Sequence, residues 1–235
     1  MKYPKKIVAM ATLANRSKCV QDTVKRLSPQ VDVIHICFNK YTDFPDWVKQ
    51  FPNVRAVVDP ENSWRDLAKF FWVEEYPDAY YFTVDDDIWY PPNYVEKMIQ
   101  ELESFSRRAV VTVHGITYPK NLVAYTKGRD TKHFSYALKK SQAVQVPGAG
   151  TAMFHTGTLE VRQADFSEFV YGGDLLLAAV ARKQGVPIIA IARKANWLKG
   201  NIKSKGSPDM FGRIMSKPSL REKHVDFIKK RLQDA

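Results

Sequence analysis

A run of aromatic and β-branched residues, Ala79–Val84 (AYYFTV), passes directly into three consecutive aspartates, Asp85, Asp86 and Asp87. The apolar run predicts a strand inside a sheet. Three adjacent carboxylates repel one another, and such a cluster is avoided at the end of a buried strand unless a cation offsets its charge. Beyond Pro91 and Pro92, residues Tyr94, Met98, Leu102 and Phe105 share one helical face, which predicts a helix to about Ser106. The segment therefore reads as strand, acidic loop, helix, and the rest of the chain has to build a fold around it.

Further strands are expected at Ile7–Leu13, Val31–Phe38, Asn53–Val58, Ala109–Val113 and Val186–Ala192. Helices are expected from the caps Asn15 and Ser17 to about Leu27, over Ser63–Glu75, and over Leu175–Lys183 before Gly185. Tyr118–Gln142 is polar and has no clear period, while Ala143–Val146 and Thr151–His155 read as strands around a glycine turn. Alternating strands and helices predict an α/β fold: a mostly parallel central sheet with helices on both faces, binding ligands beyond the carboxyl ends of its strands. With 235 residues, 45% of them hydrophobic, and no repeat or linker, one domain spanning residues 1–235 is expected.

The formal charge of +11, from 36 Lys and Arg against 25 Asp and Glu, favours anionic partners. Nucleic acid is not expected among them, because no recognised binding motif is present and the acidic triplet would repel phosphate. Cys19 and Cys37 are too few for a disulfide framework, which points to a reducing, cytoplasmic setting. No apolar stretch approaches the roughly 20 residues of a membrane span, and no signal-peptide pattern opens the chain. Val225, Ile228 and Leu232 share a face within a basic C-terminal segment, which either packs on the core or touches the inner face of an anionic membrane.

In extended chain, residues two apart point the same way, so Asp85 and Asp87 should share a face that Asp86 does not. Paired carboxylates suit Mg²⁺ or Mn²⁺, which use one or two protein oxygens and complete their shell with phosphate and water. A cation so held stabilises a leaving nucleoside diphosphate. The alternative is an acidic turn that caps the following helix. Phosphatases also use a strand-end Asp-x-Asp, but their usual Thr or Val two residues on is here Trp89.

The stretch Val84–Met98 (VDDDIWYPPNYVEKM) resembles the signature of GT-A-fold glycosyltransferases. It is most similar to the α-N-acetylglucosaminyltransferases of heparosan-type bacterial capsule synthesis. The similarity extends to Asp66, Lys69 and Phe70 in RDLAKFF, to His114 and Gly115 in VHGITY, to the GAGT turn at Gly148–Thr151, and to Asn196, Trp197 and Leu198. The resemblance implies a Rossmann-like GT-A domain, a UDP-sugar donor, Mn²⁺ or Mg²⁺, and retaining transfer of N-acetylglucosamine to a glycan or lipid-linked saccharide in polysaccharide biosynthesis. Residues 1–106 would then serve mainly the donor, 107–192 mainly the acceptor, and 193–235 would form a basic flap and terminal helix.

Other candidates follow from position. Thr12, Leu13, Asn15 and Arg16 form the loop after the first strand, where such folds cradle a nucleotide, although Asn15 could simply cap a helix. Asn39, Asp66 and Lys69 join this donor set with Asp85 and Asp86; Asp66 and Lys69, spaced i and i+3, could instead form a surface ion pair. Asp87 is placed with the catalytic group as well as the metal. Asp174, after Gly172 and Gly173, is a natural N-cap; in the family pattern it serves as base in an inverting enzyme or as an acceptor-side group in a retaining one. Gly148, Gly150 and Thr151 resemble half a dinucleotide fingerprint, but Met153 stands where the third glycine belongs, and a turn lining an acceptor groove fits better. His114 and Trp197 join that acceptor side. Lys199 and Lys203, with Lys205 and Arg213, could close over a diphosphate or form a solvated basic tail. A metal-dependent nucleotidyltransferase or phosphohydrolase remains the competing chemistry.

Overall fold

Residues along the central strands alternate between two cores. Ile7 and Ala9 pack into one and Val8 and Met10 into the other, as do Tyr81 on one side and Tyr80 and Phe82 on the other. A sheet apolar on both faces must be covered on both. The computed structural model describes residues 4–166, 172–201 and 210–233.

In chain order the elements are β1 (Lys5–Leu13), α1 (Ser17–Leu27), β2 (Val33–Asn39), β3 (Val54–Asp59), β4 (Ala79–Asp85), β5 (Ile88–Trp89), α2 (Tyr94–Glu103), β6 (Val110–Thr112), β7 (Gly115–Thr117), β8 (Asp130–Lys132) and β9 (Gln142–Val144). They continue with β10 (Val146–Pro147), β11 (Thr151–His155), α3 (Gly173–Lys183), β12 (Ile188–Ala190), β13 (Lys199–Gly200), α4 (Met210–Ser216) and α5 (Pro218–Ile228). The eight-stranded central sheet has the order β3-β2-β1-β4-β11-β6-β12-β9. β11 runs against β4 and β6, and β9 runs against β12; the other pairings are parallel. The sheet is mostly parallel, as its sequence pattern predicts. α1 and α2 cover one face through Val20, Val24, Leu27, Tyr94, Met98 and Leu102. α3 and α5 cover the other through Leu175, Leu177, Ala178 and Ile228.

The order of strands reverses between β1 and β4, and such a switch point opens a crevice at the strands' carboxyl ends. Ala11 sits beside Asp85, and Leu13 beside Asn39, so the loop after β1 and the acidic loop after β4 are neighbours. Antiparallel β11 brings its start to the same place, with Thr151 beside Val84. Two small sheets, β10-β7-β8 and β13-β5, flank this end.

Three local expectations give way to the structure. Ser63–Glu75 forms two short 3₁₀ segments, Arg65–Phe70 and Val73–Glu75, and not one α-helix. Four consecutive residues, Leu67, Ala68, Lys69 and Phe70, are all buried, which leaves this stretch no polar helical face, and the Tyr81 hydroxyl donates to the Lys69 carbonyl at 2.8 Å. Neither Asn15 nor Ser17 caps α1, because Ala14–Arg16 makes a 3₁₀ turn and Arg16 occupies the N-cap position. Asp174 lies within the first turn of α3, where Gly172 holds the N-cap position. The C-terminal stripe packs inward, with Ile228 and Leu232 buried in the core beside α3 and Val225 against it. Among the described residues no helix is long and apolar enough to cross a membrane.

Candidate functional site

Asp85 ends β4, while Asp86 and Asp87 lie in the turn that follows it, so the period of two of an extended strand does not carry through all three. Asp86 is buried, accepting hydrogen bonds from Thr12 Oγ1 at 2.7 Å and Arg16 Nη1 at 2.9 Å. Asp85 and Asp87 instead line a cleft of about 550 Å³. Arg16 also reaches Asp87 at 3.1 Å, and the Lys69 ammonium pairs with Asp85. The acidic loop is pinned beneath by Thr23, whose hydroxyl contacts the carbonyls of Asp86 and Ile88, and from the side by Asn201, whose backbone N–H donates to the Asp87 carbonyl at 2.6 Å.

β11 meets this loop through a short chain of contacts. The buried Tyr90 hydroxyl accepts from the Asp85 backbone N–H at 2.9 Å and donates to the Gly150 carbonyl at 2.5 Å. A Cβ at Gly150 would lie 1.9 Å from Asp85 Oδ2, so only glycine leaves the carboxylate its place. Asp174 Oδ1 accepts the Ala149 backbone N–H at 2.7 Å and thereby ties α3 to the same turn. Thr151 Oγ1 accepts the His114 N–H at 2.9 Å, and the Gly148 N–H reaches the His114 carbonyl at 2.7 Å.

Negative charge is concentrated here. Burial and the neighbouring Asp85 and Asp86 carboxylates push Asp87 up to about 6. Burial raises Asp66 to about 6 and Asp174 to about 7, against the pull of Lys69. Burial alone would lower Lys69, but Asp85, Asp66 and Asp174 outweigh it and hold the ammonium charged. One buried cation serves three carboxylates, and Asp66 Oδ1 has no hydrogen-bond partner among the described residues. Burial also lowers His114 to about 4, so its imidazole is neutral at ordinary pH.

Of the residues singled out from sequence, Arg16, Asp66, Asp85, Asp87, His114, Gly148, Gly150, Thr151 and Asp174 converge on this one cleft. The others do not line it. Lys69 lies beneath Asp85, and Thr12 and Asp86 bond to each other. Asn39 is buried, donating to the Arg65 carbonyl. Leu13 has its carbonyl near the Tyr41 hydroxyl, and Asn15 is exposed on its 3₁₀ turn. Trp197 packs on Tyr94 and donates to Asn93 just before α2. Lys199 is exposed on β13 opposite Trp89, and Lys203 falls outside the described residues. Sequence reading missed Tyr125, Arg129, Thr131, His133 and Phe134, all from the unassigned polar stretch, and Phe211, Ile214 and His224 from the C-terminal helices. No motif marks them; their only signal was an aromatic and basic content unusual for a loop.

Asp85 and Asp87 are hard oxygen donors, of the kind suited to Mn²⁺ or Mg²⁺. Among the described residues no group of three or more His, Cys, Asp or Glu side chains is arranged to hold a metal.

No family model matches the chain, and no curated protein does. Among solved structures, the mannosyltransferase PcManGT from Pyrobaculum calidifontis, in complex with GDP-Man and Mn²⁺, is similar to it with a TM-score of 0.52. The match covers 97% of this chain and 70% of that one at 11% identity. The likeness shows a shared fold, a Rossmann-like α/β architecture.

Proposed function

We propose that the chain is a divalent-cation-dependent glycosyltransferase that takes a nucleotide-sugar donor. One observation carries the reading: Asp85 and Asp87 face a cleft at the switch point of the sheet, while Asp86 between them is committed to Thr12 and Arg16. The Mn²⁺ and GDP-Man bound by the structural neighbour support the same class of ligand.

In this reading Asp85 and Asp87 hold the cation, which when bound stabilises charge on a departing nucleoside diphosphate. Arg16, fixed between Asp86 and Asp87, keeps the loop in place and adds positive charge beside it. Lys69 orients Asp85 from below. Asp66 offers a carboxyl oxygen to a sugar hydroxyl, and the acceptor enters past His114 and the Gly148–Thr151 turn. Asp174, titrating near neutrality, can accept the hydroxyl proton in an inverting reaction. In a retaining reaction it hydrogen-bonds the acceptor instead. By resemblance we favour retention, UDP-N-acetylglucosamine as donor and a glycan or lipid-linked acceptor. The whole of residues 1–235 acts as one such domain.

The test is a panel of UDP- and GDP-sugars incubated with Mn²⁺, starting with UDP-N-acetylglucosamine and GDP-mannose. Release of nucleoside diphosphate with free sugar or glycoside, silenced by EDTA, is expected. Nucleoside monophosphate with sugar phosphate would overturn the proposal in favour of phosphohydrolase or nucleotidyltransferase chemistry.

A further inference from the structure

β3 closes one edge of the central sheet, and among the described residues no strand lies on its outer side. Its backbone groups alternate in direction. The Asn53 and Asp59 carbonyls accept from the N–H groups of Ile34 and Lys40, so the odd-numbered residues turn toward β2, and Val54, Ala56 and Val58 turn their N–H and C=O groups outward. Val54 spends its pair within the chain, donating to the Phe51 carbonyl at 3.0 Å and accepting from Arg55 Nη1 at 3.0 Å. Ala56 and Val58 are left to pair across the edge. Pro52 and Pro60 bound the stretch, because proline cannot donate to a ladder.

The side chains of this edge are complementary to themselves. Arg55, Val57 and Asp59 share one face of the strand. Val57 is 41% exposed on it, and Trp64 is 42% exposed beside it, with its N–H donating to Asp59 Oδ2 at 3.1 Å and its ring edge-on to Phe71. Edge strands are ordinarily guarded by lysines, prolines or bulges. β3 instead carries one cation and one anion on either side of an exposed valine. An antiparallel copy centred on Val57 sets each Arg55 opposite the other copy's Asp59, Val57 opposite Val57, and Ala56 opposite Val58, whose outward groups exchange about four ladder hydrogen bonds. A centre at Ala56 or Val58 would set a charge against Val57, and a centre at Arg55 would oppose two cations, so charge selects the register. Arg55 Nη1 is held by the carbonyls of Pro52 and Val54, but a guanidinium has about five N–H donors and keeps others for a carboxylate.

We propose that β3 is a self-association edge, at which a second copy of this chain pairs antiparallel about Val57 and the two central sheets become one. β2 and β1 stand between β3 and the acidic loop, and no residue of β3 lines the cleft, so the inference is independent of the reaction assigned there. A single strand edge makes a small interface, below about 1,200 Å², and the dimer therefore forms with rising concentration.

The experiment follows association by sedimentation velocity over a series from micromolar to millimolar chain, with backbone amide exchange read by NMR at both ends of it. The wild-type chain should dimerise across the series, and the Ala56 and Val58 amides should exchange more slowly as it does. Val57→Lys brings two ammonium groups together at the centre and should weaken the dimer about tenfold or more. Arg55→Asp and Asp59→Arg should each do the same alone, because every pair across the axis becomes like-charged. Mixed in equal amounts, these two variants should recover a heterodimer, since both pairs are then opposite in charge. A wild-type chain that stays monomeric, which leaves the edge to a different chain, would overturn the proposal. So would a dimer unaffected by Val57→Lys, charge variants that remain monomeric when mixed, or a dimer without new protection at Ala56 and Val58. If Asp59→Arg melts early because the Trp64 N–H has lost its acceptor, Val57→Lys and the two amides decide.

Discussion

Along β3-β2-β1-β4 every strand runs the same way and delivers its carboxyl end to the crevice. Beyond β4 the sheet changes character: β11 arrives antiparallel, so the residues that precede it reach the cleft, and the rest of that wall comes from loops and C-terminal helices. In the first half a functional side chain follows its own strand in sequence, as Asp85 follows Val84. In the second half it is carried in from elsewhere. The two halves meet where Tyr90 joins Asp85 to Gly150 and where Asp174 holds Ala149.

The sharpest way to break this comparison lies within the acidic loop. Asp87→Ala should cost on the order of a hundredfold in Mn²⁺-supported nucleotide binding, because it removes a cation ligand, while changing the melting temperature little. Asp86→Ala should show the reverse, a smaller binding defect and a stability loss of about 1–3 kcal/mol as Thr12 and Arg16 lose their partner. Calorimetry and thermal melts on both variants check this, and matched losses would mean that the two carboxylates do not divide their roles.

Gly150→Ala tests the seam between the halves. Its Cβ would displace Asp85 Oδ2, so Mn²⁺ affinity should fall about tenfold, with a stability cost of about 1 kcal/mol. A folding collapse with intact affinity in the surviving fraction would show that the turn serves structure alone.

Asp174→Asn probes the second half through pH. Burial raises the folded-state pKa of Asp174 to about 7 from 3.8 in the unfolded chain, so between those values the native chain holds a proton that the unfolded chain has lost. That carboxyl therefore lowers stability as pH rises through this window, and its cost is fully present above about 7. The variant, still able to accept from Ala149, should be more stable than wild type at pH 8 and lose that advantage toward pH 5. Burial lowers His35 and His114 to about 4, giving both chains an opposite trend at acid pH, so the difference between the chains is the quantity to measure.

The smallest effect belongs to the first half. The Tyr94 hydroxyl is buried without a hydrogen-bond partner among the described residues. Tyr94→Phe should leave stability unchanged or raise it by about 1 kcal/mol in a denaturant titration, whereas Tyr90→Phe, which removes both bonds of the seam, should lower it.

The amino-acid sequence by itself determined the strand order of events: β1, β2, β3 and β4 as apolar runs, α2 after its prolines, and an acidic loop at the end of β4. These are properties of nearest neighbours, set by the period of two along a strand and by which side chains tolerate burial. The same local reading misjudged Ser63–Glu75, since the four consecutive buried residues Leu67–Phe70 follow their neighbours and not a helical spacing. Local pattern also gave no sign of the contacts of two candidates: packing puts Lys69 beneath Asp85 and Trp197 on Tyr94 of α2. Only the tertiary structure decided that Gly150, Asp174, His114 and Arg129 share a cleft with Asp85. Their meeting depends on an antiparallel strand, a helix start and an irregular loop whose positions are fixed by contacts far apart in the chain, and no local pattern encodes such contacts.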